Sequence, residues 1–313
     1  PIAGMDHVIT SDDFLELAEL PTAIIFIGGG YISFEFAHFA ARLGSASQRL
    51  VILEAGDKPL GEFDPEMVEL LVEASQTEGI EINCGIGVEA IEKHANWFSV
   101  RTANGDCFEA DLVVHGAGRA PELDTLGLDA AGVEYSENGI TVDQTLRTSN
   151  RHIYAVGDCV ATIQLARVAD KEAHVAAENI LAALGLGRKA AMEYHMVPAV
   201  LFTCPQCGMV GQTEADLKQA GTTYRRSFAK NLSWPTYKRV GLKNAAYKIL
   251  ADPNNQILGA HILSDHAAGM INTIKQAMLN ETTVDELYRQ TIVSPYPSRE
   301  SDLSYMLKPL LSD

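Results

Sequence analysis

The 313-residue chain carries 24 basic and 41 acidic side chains, a formal net charge of −17, and is 47% hydrophobic. That hydrophobicity excludes intrinsic disorder, a length near two times roughly 150 residues suggests about two globular units, and the acidity argues against nucleic acid or an anionic membrane as partner. No run approaches the ~18 apolar residues of a membrane span, and five cysteines, an odd number, do not make a secreted disulfide framework, so a cytoplasmic location is expected.

Ser11, Asp12 and Asp13 ahead of Phe14–Leu20 predict a capped short helix. Ala23–Ile27, an apolar run ending in Gly28-Gly29-Gly30, predicts a buried parallel strand that stops at a tight turn. Residues 31–43 predict a helix with a small-residue face, stopped by Gly44. Leu50–Leu53 predicts a second buried strand, Pro65–Ser75 a helix and Ile80–Cys84 a third strand. Short segments follow at Val88–Glu92, Trp97–Thr102 and Cys107–Glu109, with a hairpin signal at Asn104-Gly105. Leu112–Val114 closes the series and runs into Gly116-Ala117-Gly118. This alternation around an antiparallel insert predicts an α/β, doubly wound sheet.

Beyond Pro121 the texture loosens until Ile153–Val156, read as a short strand, and the glycine turn Gly157-Asp158. A long Ala-rich helix is expected over residues 165–184. Strands at Ala199–Phe202, Thr223–Phe228, Ala246–Leu250 and Gln256–Ile262 precede helices near His266–Leu279 and Val284–Tyr288, which predicts an α+β unit. Acidic runs such as Glu62–Glu69 read as solvated helix faces. His38, His115, His261 and His266 fall at no metal-ligand spacing, and no metal site is expected.

The glycine turn carries the strongest chemical signal. Gly28 permits the turn, Gly30 lets backbone approach a pyrophosphate, and the small Ser33 lets the helix pack on the strand. Glu54, at the end of the second strand about 20 residues further on, can accept hydrogen bonds from the adenosine ribose of NAD. Its charge opposes a 2′-phosphate, so NADH is favoured, although Lys58 keeps NADPH open. A plain glycine turn and a solvated strand-end acid are the structural alternatives.

The run from the first strand through Gly28–Glu35 to Gly44 resembles the nicotinamide domain of the flavoprotein disulfide reductases, the family of glutathione reductase, dihydrolipoamide dehydrogenase and mercuric reductase. The resemblance continues at Gly118-Arg119-Ala120-Pro121, at Thr148–Asp158, and through Val197-Pro198 and Phe202-Thr203 to Val210–Glu214. It implies a Rossmann-like NAD(P)-binding domain, part of a flavin domain and a C-terminal α+β dimerisation domain. The expected boundaries are a connector over 1–17, the NAD(P) domain over 18–118, a returning flavin-domain segment over 119–190 and the dimerisation domain over 191–313. It further implies FAD as cofactor, a homodimer, and hydride passing from NAD(P)H to FAD and on to a small-molecule or protein disulfide. Gly118, Gly157, Asp158 and Ala166 are then cofactor contacts beside Gly28, Gly30, Ser33 and Glu54. Tyr31 resembles a gating tyrosine, or is a core aromatic. Glu35 resembles an acid that pairs with a lysine near the flavin.

Two departures qualify the resemblance. The cysteines, Cys84, Cys107, Cys159, Cys204 and Cys207, include no Cys-x4-Cys pair. With the start at Pro1, this leads to the expectation that the chain is the C-terminal portion of a longer enzyme, inactive in isolation, whose redox pair lies elsewhere. Cys204-Pro205-Gln206-Cys207 lacks the second pair of a zinc ribbon and the basic neighbours of a redox thiol, and is expected in a strand-end loop. The family's His-Pro-Thr-x-x-Glu motif is matched by Tyr296-Pro297-Ser298-Arg299-Glu300-Ser301, with tyrosine for histidine and the acid one residue early. Tyr296 is expected to reach the partner subunit's site as a hydrogen-bond donor, or to be a structural residue at the dimer contact. Two further readings stay open: a non-catalytic nicotinamide-binding module and a flavin-dependent NADH oxidase.

Overall fold

The computed structural model describes residues 2–45, 47–194 and 196–312. These divide into one unit built from residues up to Gly118 together with those from Pro198 onward, and a second unit of Arg119–Val197.

The first unit opens with α1 (Ser11–Leu15), then β1 (Ala23–Ile27), α2 (Tyr31–Leu43), β2 (Arg49–Leu53), α3 (Pro65–Thr77) and β3 (Ile80–Asn83). The strands β4 (Val88–Lys93), β5 (Phe98–Thr102) and β6 (Cys107–Ala110) form an antiparallel sheet, and β7 (Leu112–His115) closes a parallel one of order β3-β2-β1-β7. Ile25 of β1 lies opposite Val51 of β2 and Val113 of β7. Because strand side chains alternate, β1 feeds two cores. Ile24 and Phe26 pack with Phe34 of α2 and Met67 and Leu71 of α3, while Ile25 and Ile27 pack with Ile91 and Val100 of the antiparallel sheet. α1 is shorter than expected and its cap is Thr10, whose side chain accepts from the Asp13 amide in a reciprocal box.

The second unit contains α4 (Leu128–Ala131), the hairpin of β8 (Tyr135–Ser136) with β9 (Gly139–Ile140), and α5 (Ala166–Ala183). The strand expected at Ile153–Val156 does not form. Tyr154 makes an isolated antiparallel bridge to Arg147. The ladder goes no further because Leu146, next to the bridge, takes a left-handed conformation at φ +63° that an extended strand does not continue through. Residues Gly157–Cys159 form a 3-10 helix.

The first unit resumes with β10 (Ala199–Leu201), β11 (Gln206–Gly211), α6 (Glu214–Gln219), β12 (Arg225–Lys230), α7 (Pro235–Arg239), β13 (Ala246–Ala251) and β14 (Ile257–Ser264). All neighbours in the order β10-β11-β14-β13-β12 are antiparallel. The helices α8 (Ala267–Leu279), α9 (Val284–Thr291) and α10 (Arg299–Leu307) follow. Leu201, Cys207, Ala246 and Leu263 join the core under α2 and α3. Cys207 was expected in a loop but belongs to β11, where it is buried. Among the described residues no helix is long and apolar enough to cross a membrane.

Candidate functional site

The glycine turn is shaped by close backbone packing. Gly28 has φ +94°, and a Cβ there would stand 2.5 Å from the Ala117 Cα. Its amide donates to Leu53 O at 2.8 Å, tying the turn to β2. Gly30 is the N-cap of α2 and provides no side-chain acceptor, so first-turn amides face outward. A Cβ on Gly30 would meet the Gly116 carbonyl at 3.4 Å. Ser33 is fully buried, and a Cβ on Gly116 would overlap its Oγ. The small residues thus let α2 sit directly on the segment that follows β7.

Glu54 follows β2 and clasps the turn. Its Oε2 accepts from the Gly29 amide, and its Oε1 accepts from Gly56 N at 2.6 Å. Lys58 is drawn to Glu69 at 3.3 Å. A cleft of about 500 Å³ lies above, lined by Gly28, Gly30, Tyr31, Glu54, Lys58 and Gly118 among others. The volume falls within the range of small-molecule sites. Ser33 lies beneath this cleft in the packing seam.

α2 carries three further polar groups. The Tyr31 ring lies 5.4 Å from that of Phe63 and its hydroxyl 3.5 Å from Glu62. Burial first and Glu62 second push its pKa well up, so the phenol keeps its proton. Glu35 accepts the Phe202 amide at 2.8 Å, and burial raises its carboxyl. His38 is buried and pushed down to about 4 by burial and then by Arg42. Its Nδ1 accepts the Cys204 amide at 3.3 Å, so Nε2 carries the proton toward Ser75 Oγ, 2.9 Å away.

In the second unit Gly157 has φ +78° and the Asp158 carboxylate is half-exposed, 3.6 Å from Arg119. α5 starts at Ala166, and its N-cap Leu165 leaves the first turn without a side-chain acceptor. Glu172 of α5 accepts the Gly157 amide at 2.7 Å, a link that no motif announced.

Tyr296 is 63% exposed, ahead of α10, whose start is capped by a Ser298–Ser301 box. Glu300, the displaced acid of the C-terminal motif, pairs with His266 at 2.8 Å. Arg299 makes two bonds to Asp265, at 2.6 and 2.9 Å.

The acidic run Glu62–Glu69 departs from the expectation of a solvated face. Asp64 is fully buried, caps α3 through the Glu66 and Met67 amides, and receives Lys248 Nζ at 2.7 Å. Glu66 and Glu214 complete the shell at 2.9 and 3.1 Å. Burying a charge is tolerable only where opposite charges and hydrogen bonds compensate it, which is why these groups converge.

Comparison with known proteins agrees with this arrangement. The family described as pyridine nucleotide-disulphide oxidoreductase matches residues 1–173, and its dimerisation domain matches residues 197–303. A glutathione reductase of Burkholderia cepacia is 35% identical over 292 residues, covering 90% of this chain and 62% of that protein. A dihydrolipoyl dehydrogenase of Chlamydia muridarum is 32% identical, covering 92% of this chain and 61% of its own length. A mercuric reductase of Bacillus cereus is 32% identical, covering 94% and 46%. The chain thus spans between 46% and 62% of these curated relatives. The solved structure of the HOCl-induced flavoprotein disulfide reductase RclA from Escherichia coli superimposes with a TM-score of 0.89 at 25% identity, covering 99% of this chain and 71% of that one. With the glycine turn, the parallel sheet and the antiparallel C-terminal sheet all in the matched order, the chain belongs to the pyridine nucleotide-disulphide oxidoreductase family.

Proposed function

We propose that this chain binds NADH over Gly28-Gly29-Gly30 and serves a homodimeric, FAD-dependent, cytoplasmic oxidoreductase that passes hydride from NAD(P)H to flavin and on to a dithiol or disulfide. The cleft above the glycine turn carries the reading. Gly30 leaves backbone open to a pyrophosphate at an uncapped helix N-terminus, which favours an anion. Glu54 stands where ribose hydroxyls would donate, and Lys58 is already engaged by Glu69, which favours NADH over a 2′-phosphorylated nucleotide.

The second unit fits a flavin. The exposed Asp158 carboxylate can accept hydroxyl hydrogen bonds, and the uncapped start of α5 at Ala166 suits an electron-rich pyrimidine oxygen. When bound, nicotinamide and flavin supply the hydride and electron-pair chemistry. The chain's own residues bind and orient. Gly118 borders the nucleotide cleft, and Tyr31, held protonated at its mouth, acts as an aromatic gate. Glu35 anchors α2 to the Phe202 amide and so fixes the helix that presents the gate. Tyr296 offers its exposed hydroxyl as a donor to the partner subunit's site. On this reading the sulfur acceptor is not one of this chain's five cysteines, which include no Cys-x4-Cys pair, and burial pushes the Cys207 thiol up to about 12.

Calorimetric titration of the chain with NADH and NADPH tests this reading. NADH should bind about tenfold tighter, and Glu54→Arg should reverse the order. Binding of neither nucleotide, or an unchanged preference in the variant, would remove the cleft from the proposal.

A further inference from the structure

Glu172 lies on α5 with no exposure to solvent. Its Oε2 accepts the Gly157 amide at 2.7 Å, and its Oε1 accepts the hydroxyls of Thr162 and Tyr194, each at 2.7 Å. Three uncharged donors thus satisfy one buried carboxyl group, and leaving such a buried group unpaired would cost stability. Tyr194 stays a donor, because burial and then Glu172 push its phenol up to about 12.

The captured amide is the first of the 3-10 helix Gly157–Cys159, and the preceding Val156 offers it no side-chain cap. The turn also lies close against α5: a Cβ on Gly157 would stand 3.4 Å from the Ala169 Cβ. One carboxylate therefore ties the turn that presents Asp158 to the same helix whose free N-terminus begins at Ala166.

We propose that Glu172 is a positioning residue for the flavin: it fixes the spacing between the Asp158 carboxylate and the N-terminus of α5, so that both address the cofactor together. The inference rests on the reading that these two groups contact FAD. It goes beyond that reading by naming the residue that holds them in register. Glu172→Gln keeps an acceptor for the Gly157 amide, and its NH2 group can donate to hydroxyls that rotate to accept. Glu172→Asp keeps the charge but, one methylene shorter, falls short of the amide. Glu172→Leu removes the bond altogether.

The test uses the whole chain labelled with nitrogen-15 and titrated with FAD. The readouts are FAD affinity and hydrogen exchange at the Gly157 amide, with NADH affinity as the control for folding of the other unit. FAD should shift the Gly157 and Asp158 amides in the parent and in Glu172→Gln, with affinities within about twofold. Glu172→Asp and Glu172→Leu should bind FAD about tenfold more weakly, exchange Gly157 about tenfold faster, and keep NADH affinity. If Glu172→Leu does not fold, Glu172→Asp carries the same expectation. Should Asp158→Ala lose FAD while Glu172→Asp binds like the parent, the positioning role is overturned and the flavin reading stands. Should the parent not respond to FAD, or Asp158→Ala bind as tightly as the parent, the flavin reading falls and the positioning role with it.

Discussion

Lys248→Met takes the cation out of a cluster of carboxylates. Nζ lies 2.7 Å from Asp64, 2.9 Å from Glu66 and 3.1 Å from Glu214, and the Lys248 and Asp64 side chains are 2% and 1% exposed. Removing one partner of a buried pair costs about 3–5 kcal/mol. Glu214 gives a second figure. Burial would raise its carboxyl, yet bonds from Tyr224, Lys248 and Lys218 outweigh burial and hold it at about 2 against an ordinary 4.5. That depression is worth about 3 kcal/mol, shared among its donors. Arg226 survives in the variant, 3.0 Å from Glu214 and 3.2 Å from Glu66, and softens the loss. The expected cost at neutral pH is therefore at the low end, about 3 kcal/mol. Urea unfolding of parent and variant across pH measures it. A carboxyl depressed in the fold contributes its full stability above its unfolded value and loses it as pH falls through the folded one. The gap between the two proteins should accordingly be full above about 4.5 and close toward about 2. A gap below about 1 kcal/mol at neutral pH, or one unchanged on acidification, would refute the reasoning.

Two further outcomes follow from the packing and the charges. Gly116→Ala should cost about 1–3 kcal/mol and weaken NADH binding, because its methyl overlaps Ser33 Oγ under the turn. Adding Ser33→Ala should recover part of both, since the Ser33 Cβ stands 3.2 Å away, and thermal melts with NADH titrations would show no recovery if the overlap is not the cause. His38, held near 4 by burial and then Arg42 against an ordinary 6.5, contributes stability that is complete above 6.5 and lost as pH falls through about 4. Its imidazole resonances should hold steady through neutral pH and move near 4, and a midpoint at the ordinary value would contradict the buried placement.

The glycine turn and its flanks were legible because each rests on local chemistry: an unbroken apolar run makes β1, Gly28 supplies the left-handed turn, and Ser33 clears the seam against Gly116. Lys248 was not, because its meaning lies in partners distant in the chain; Asp64 is 184 residues away. The same distance made the acidic run look solvated. Glu172 is masked by the Ala-rich helix around it, and its acceptor role depends on a turn that folds back from Gly157. α10 escaped notice because its box closes with Ser301, where the usual signal is glutamate or glutamine. Tyr296 lies exposed ahead of α10, and the task proposed for it involves a second subunit, which no signal within one chain can define.

The tie between α2 and the segment after β10 has a consequence for the behaviour of the molecule in crowded solution. β10 ends the five-stranded sheet, and an outermost strand normally offers a row of free amides to any passing chain. Here the amides just beyond it, at Phe202 and Cys204, are claimed by Glu35 and His38. A foreign strand reaching past the end of β10 finds these two donors already engaged, so α2, which borders the glycine-turn cleft, also closes off the stretch that follows this edge.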